Sequence, residues 1–135
     1  MYLVSDAMSP EPLTLSPDDS TDRARQLMKN GRLRHLPVVH HGKLVGLVTQ
    51  RDLLERPEVA GVREGRVTAV PTATPGTPLR KAARTLYEQR FGCLPVVDEQ
   101  RAVVGILTAT DFIRFAADIA AEFDRVEATA SRLGA

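Results

Sequence analysis

Leu36-Pro37-Val38-Val39, followed closely by Gly46-Leu47-Val48-Thr49 and Asp52, occurs twice in this chain. The second copy reads Leu94-Pro95-Val96-Val97, then Gly105-Ile106-Leu107-Thr108 and Asp111. The first block recurs 58 positions on and the second 59, so the register changes by one residue between them. The change falls where His40-His41-Gly42-Lys43 stands opposite Asp98-Glu99-Gln100-Arg101-Ala102. Both stretches are polar and suited to a tight turn, where an extra residue is tolerated. Upstream, the shift of 58 also pairs Thr14 with Thr72, Pro17 with Pro75 and Ala24 with Ala82. The chain is therefore a duplication of a unit of about 55 residues.

Each copy predicts the same order of elements. Residues 13–15 are a short extended piece, and Ser16-Pro17-Asp18-Asp19-Ser20 supplies turn chemistry and a helix cap ahead of Ala24, Leu27 and Met28, which share one helical face. Asn30-Gly31 ends that helix. Residues 36–39 and 44–49 are two short strands joined as a hairpin, and Asp52-Leu53-Leu54 begins a second, short helix. The second copy gives an extended piece at 71–74, a helix over 78–89, strands at 94–97 and 103–108, and a helix from 110 onward. The order per repeat is strand, helix, strand, strand, helix. A unit this small buries too little surface to stand alone, so the two should pack their sheets into one pseudo-symmetric α/β body. Between them, residues 57–66 are polar with a Pro and two Gly and read as a short linker. The expected division is a first repeat over 1–56, the linker, a second repeat over 67–115, and a helical extension over 116–135.

Composition narrows the function classes. The 135 residues carry 18 Lys plus Arg against 17 Asp plus Glu, a net charge of +1, which argues against phosphate-backbone binding. Aromatic residues are 4% with no Trp, too few for base-stacking platforms. One cysteine, Cys93, forms neither an internal disulfide nor a multi-cysteine metal site. No apolar run reaches membrane-spanning length, and the N-terminus lacks a secretory pattern, so the expectation is a cytoplasmic protein that binds neither DNA nor membrane. No Ser, His and Asp set and no Gly-rich phosphate loop is recognisable, which predicts no enzyme. His40-His41 reads as a solvated turn rather than a metal pair.

With its duplicated Leu-Pro-Val-Val and Gly-x-x-Thr-x-x-Asp, the chain resembles the cystathionine beta-synthase (CBS) domain family, in the tandem pair called a Bateman module. The resemblance covers residues 4–115. It implies two repeats packed through their sheets, binding adenosine-containing ligands in clefts between the halves and passing their occupancy to a partner. The ligand would be AMP, ADP or ATP, or alternatively S-adenosylmethionine or NAD, with no required cofactor.

The residues support that reading. Thr49 closes a strand and Asp52 follows three residues on, so the hydroxyl, the carboxylate and the backbone N–H groups of a helix start share one cleft. A carboxylate there can accept from both hydroxyls of a ribose. Thr108 and Asp111 repeat the arrangement, so two sites are expected. Taken alone, each Thr and Asp also reads as a helix cap. By position within the resemblance, Leu13, Leu33 and Leu47 line one adenine slot and Pro71, Phe91 and Ile106 the other. Leu13 and Leu33 would serve Asp111, and Phe91 would serve Asp52; simple core packing is the competing reading for each. The halves differ where related domains often face a phosphate with a basic residue: His35 stands in one copy and Cys93 in the other. His35, helped by Arg34 and Arg51, could balance a phosphate, whereas Gly92, Cys93 and Thr110 offer no charge.

From Asp111 to Leu133, Ile113, Ala116, Ala117, Ile119, Ala120, Phe123, Val126, Ala130 and Leu133 recur at three- and four-residue steps, an amphipathic helix of more than five turns. It either packs back across the first repeat or meets a second chain, and homodimerisation is the expectation. The leading function is a nucleotide sensor acting on a protein in trans; the alternative is a ligand-free dimerisation scaffold.

Overall fold

The computed structural model describes residues 1–89 and 92–134. Among the described residues, eleven elements follow one another: α1 (Val4–Ala7), β1 (Ser9–Pro10), α2 (Thr21–Gly31), β2 (His35–His40), β3 (Lys43–Thr49), α3 (Gln50–Glu55), α4 (Val62–Gly65), α5 (Leu79–Gln89), β4 (Cys93–Val97), β5 (Val103–Thr108) and α6 (Ala109–Arg132). The predicted helices and hairpins are all present, and the two halves have the same α/β plan.

Local chemistry explains the main elements. Ser20 caps α2, its hydroxyl accepting from Arg23 N at 3.0 Å, and the helix stops where Arg32 turns left-handed at φ 52°. The β2–β3 hairpin turns on His41 and Gly42, both at positive φ (52° and 75°), the backbone that matches the twist of paired strands. In the other copy the longer turn is held by Asp98, whose Oδ1 accepts from the N–H groups of Gln100 and Ala102, both at 2.9 Å. Each hairpin also carries a bulge at the same place, between Val38 and Val39 and between Val96 and Val97. Leu15 pairs in parallel with Val38, and Ala73 with Val96, so each predicted leading strand is reduced to a single bridge.

The two repeats exchange their leading segments. β1 pairs antiparallel with β5, Ser9 opposite Ile106, so the start of the first repeat completes the sheet of the second. Val67 pairs with Leu47 on β3 in the same way. Val4 and Ala7 of α1 lie in the second core with Leu79, Ala82, Leu94 and Leu107, while Val62 of α4 lies in the first core with Leu15, Ala24, Leu36 and Val48. The shift of 58 that relates the sequence copies also relates Val4 to Val62 and Ser9 to Val67. The stretch 57–66 is therefore more than a tether: Val62 is fully buried, and Val62 N donates to Asp19 O at 2.9 Å.

A third, smaller cluster joins the repeats through their sheets, with Leu47 from one and Cys93 and Ile106 from the other, flanked by Val70. The C-terminal helix α6 runs 24 residues, about 36 Å. Its first turns pack against α1 and β5, with Tyr2 edge-on to Phe115 at 4.9 Å. Its far end does not fold back over the first repeat: Phe123 and Val126 are 71% and 61% exposed. No helix among the described residues is long and apolar enough to cross a membrane.

Candidate functional site

Both Thr-x-x-Asp turns are built as the spacing predicts. Thr49 caps α3: its Oγ1 accepts from Asp52 N at 3.1 Å and donates to Asp52 Oδ2 at 2.7 Å. Thr108 caps α6, with Thr108 N and Oγ1 donating to Asp111 Oδ2 at 2.8 and 3.1 Å, a reciprocal capping box. Here the turns diverge. Asp52 is half-buried, and among the described residues the donor to its carboxylate is Thr49. Asp111 is 3% exposed and is held in addition by Ser9 Oγ at 2.7 Å and by the Arg114 guanidinium at 2.5 Å.

The apolar residues expected to hold adenine fall into two groups. Leu47 and Ile106 meet each other and Cys93 in the cluster between the repeats, fully or nearly buried. Leu13 and Leu33 come together at the end of α2, both beside Gly31; Leu13 is half exposed, and Leu33 packs against the first core. Pro71 is half-buried. Phe91 lies outside the described residues. Two concavities of about 610 and 670 Å³ lie elsewhere. One is ringed by Asp18, Asp19, Glu58 and Glu64, the other by Tyr2, Leu79, Phe112 and Phe115.

The expected phosphate group is less charged than its residue type implied. His35 sits at the junction of the repeats, so close that any side chain at Gly92 would collide with its ring. Burial first, and then the Arg34 guanidinium, push its pKa below the ordinary 6.5, so His35 is neutral at pH 7 in the free protein. Arg34 is exposed, and Arg51 turns to Glu55 at 3.1 Å instead of Asp52. Thr110 is exposed on the first turn of α6. Cys93 is buried, its thiol pushed up to about 12 by desolvation, and is inert at neutral pH.

His35 gives a measurable pH dependence. Because its folded pKa lies below its unfolded one, the unfolded chain takes up a proton that the folded chain refuses, and stability falls as pH drops below about 6.5. His35→Asn should flatten that slope. Urea midpoints of both chains between about pH 7.5 and about pH 5.5 would measure it, and parallel profiles would contradict the assignment.

Ser9 and Arg114 belong to the site although no motif flags them. Arg114 stands one turn beyond Asp111 and is readable as an (i, i+3) partner; Ser9 lies 102 residues away and is brought in by the β1–β5 pairing, which no local sequence signal announces.

The CBS domain pattern matches twice, over residues 4–58 and 66–118. The chain belongs to the CBS domain family. As a CBS pair it is 38% identical over 100 residues to the inosine-5'-monophosphate dehydrogenase of Thermoplasma acidophilum, a match covering 74% of this chain and 21% of that enzyme. The CBS pair spans well under two thirds of the first curated relatives it matches, from 21% to 43% of their length. Among solved structures, CBSX2 of Arabidopsis thaliana in complex with AMP has a TM-score of 0.84 at 31% identity, over 88% of this chain and 98% of that one. The CBS domain pair of protein MJ0100 in complex with 5'-methylthioadenosine and S-adenosyl-L-methionine gives 0.83 at 31%, over 87% and 98%.

Proposed function

We propose that this CBS pair is a regulatory module that binds an adenosine-containing ligand through its Thr-x-x-Asp turns and signals occupancy to a partner protein in trans, without catalysis of its own. The observation that carries the reading is the Asp52 carboxylate. It is half-buried, fixed by Thr49, and has acceptor positions to spare for two vicinal hydroxyls. The AMP, methylthioadenosine and S-adenosylmethionine complexes of CBSX2 and MJ0100 support the choice of ligand class: AMP, ADP or ATP, with S-adenosylmethionine or NAD as further members. Leu13, Leu33, Leu47 and Ile106, with Phe91, would contribute the adenine contacts; His35 would meet the phosphates as a neutral hydrogen-bond partner, with Thr110 and, once released from Glu55, Arg51 beside it.

A thermal-shift panel of these five compounds tests the reading. A ligand at 100 times its dissociation constant adds roughly 2.7 kcal/mol of stability, and Asp52→Ala with Asp111→Ala together should abolish the gain. No shift with any of them would overturn it in favour of a scaffold, and a shift the double variant keeps would overturn the role given to the Thr-x-x-Asp turns.

The module is proposed to act as a homodimer through α6. Phe123, Val126 and Leu133 lie on one face of the far end of α6, apolar and exposed, and such a face is stabilised by a second helix. Phe123→Glu should shift the chain to monomer in sedimentation at concentrations where the parent is dimeric. A monomeric parent would refute the dimer.

A further inference from the structure

The duplicated turns look interchangeable in sequence, but their carboxylates have different capacities left. An ionised carboxylate offers about four acceptor positions. Asp111 fills four: Thr108 N and Thr108 Oγ1 donate to Oδ2, and Ser9 Oγ and Arg114 NH2 donate to Oδ1. Arg114 NH2 also reaches Ser9 Oγ at 3.4 Å, so the two donors form one arrangement over the carboxylate. A ribose diol needs two acceptor positions at once, and Asp111 has none to give. To take a diol it would have to shed both Ser9 and Arg114, leaving a carboxylate 3% exposed without its cation.

The first repeat lacks both of these donors. Under the shift of 58, Val67 stands where Ser9 does, with no hydroxyl to donate; under the shift of 59, Glu55 stands where Arg114 does and repels a carboxylate instead of pairing with it. Glu55 in turn draws Arg51 away from Asp52. Among the described residues, Asp52 therefore keeps the acceptor positions that Asp111 spends.

We propose that Ser9 and Arg114 close the second ribose-reading carboxylate, so that each chain binds one adenosyl ligand, at Asp52. Asp111 instead fastens β1, the strand exchanged from the first repeat, to the base of α6. This rests on the adenosyl reading above and adds which of its two turns is used and which residues decide that.

Isothermal titration of the full chain with AMP, and separately with S-adenosylmethionine, tests it. The expected result is one equivalent per chain with whichever of the two binds, with affinity lowered at least about tenfold by Asp52→Asn. The double variant Ser9→Val with Arg114→Glu, which gives the second repeat the residues of the first and leaves Asp111 intact, should gain a second equivalent. Two equivalents in the parent chain, binding that survives Asp52→Asn, or a double variant that folds and still takes one equivalent would each overturn the closure. A parent chain that binds neither of these, nor any other compound of the five above, sinks the adenosyl reading and the closure together, whereas two equivalents sink the closure alone.

Discussion

Deleting residues 1–10 should destabilise the second repeat, not the first to which they belong in sequence. The deletion removes Val4 and Ala7 from the second core and strips β1 from the edge of β5. It also removes three backbone bonds, Val4 N to Thr77 O, Ser5 N to Pro75 O, and Leu79 N to Tyr2 O, each between 2.9 and 3.0 Å. Burial of Val4 alone contributes about 1.5–3 kcal/mol, and each hydrogen bond about 1 kcal/mol net. The loss should be about 4 kcal/mol or more, a large part of the 5–15 kcal/mol typical of a domain. Hydrogen exchange would locate it: protection should drop across β4, β5 and α5 while the β2–β3 hairpin, whose core is completed by Val62, keeps more of its own. Uniform loss, or an unchanged melting temperature, would contradict the exchange of segments.

Leu47→Asp is the second large effect. Leu47 is fully buried where the sheets meet, and its neighbours Cys93, Ile106 and Val70 offer no counter-charge, since the Cys93 thiol stays protonated. An unpaired carboxylate there should cost more than about 4 kcal/mol, enough to unfold the chain or part its repeats. Leu47→Met, which conserves volume, should cost less than about 1.5 kcal/mol. Denaturant midpoints of the pair separate the charge effect from loss of shape. A tolerated aspartate would mean that the cluster opens to water.

The features that sequence made readable are those whose cause is local. Hairpins at Leu36 and Leu94, the capped α2 and the Thr-x-x-Asp turns each follow from residues within a few positions of one another, and duplication doubled every signal. The one-turn helices α1 and α4 and the two-residue β1 had no such signal. Four residues with two buried positions cannot hold a helix by propensity, and these exist because a distant core accepts Val4 and Val62. The segment 57–66 looked like a tether for the same reason. In the site, residue types and positions were readable, but capacities were not. Asp52 and Asp111 are the same letter in the same motif, and what separates them is a serine brought in by tertiary pairing and an arginine one turn away. His35 offers a phosphate partner's charge by residue type, and its burial removes that charge.

The exchange of segments also orders events in time. Residues 1–10 leave a ribosome about a hundred residues ahead of their partners, since Ser9 pairs with Ile106 and bonds Asp111, so everything through Asp111 must be synthesised before they can dock. The first repeat can close its core once Val62 has emerged, whereas the second must capture a strand that lies 102 residues upstream of Asp111. Contacts of such long separation carry their loop-closure cost before they return any stabilisation, which makes the docking of β1 the expected late step of folding. Until then β5 presents an open edge, and in a crowded cell the Ser9 strand of a neighbouring chain competes for it with the chain's own.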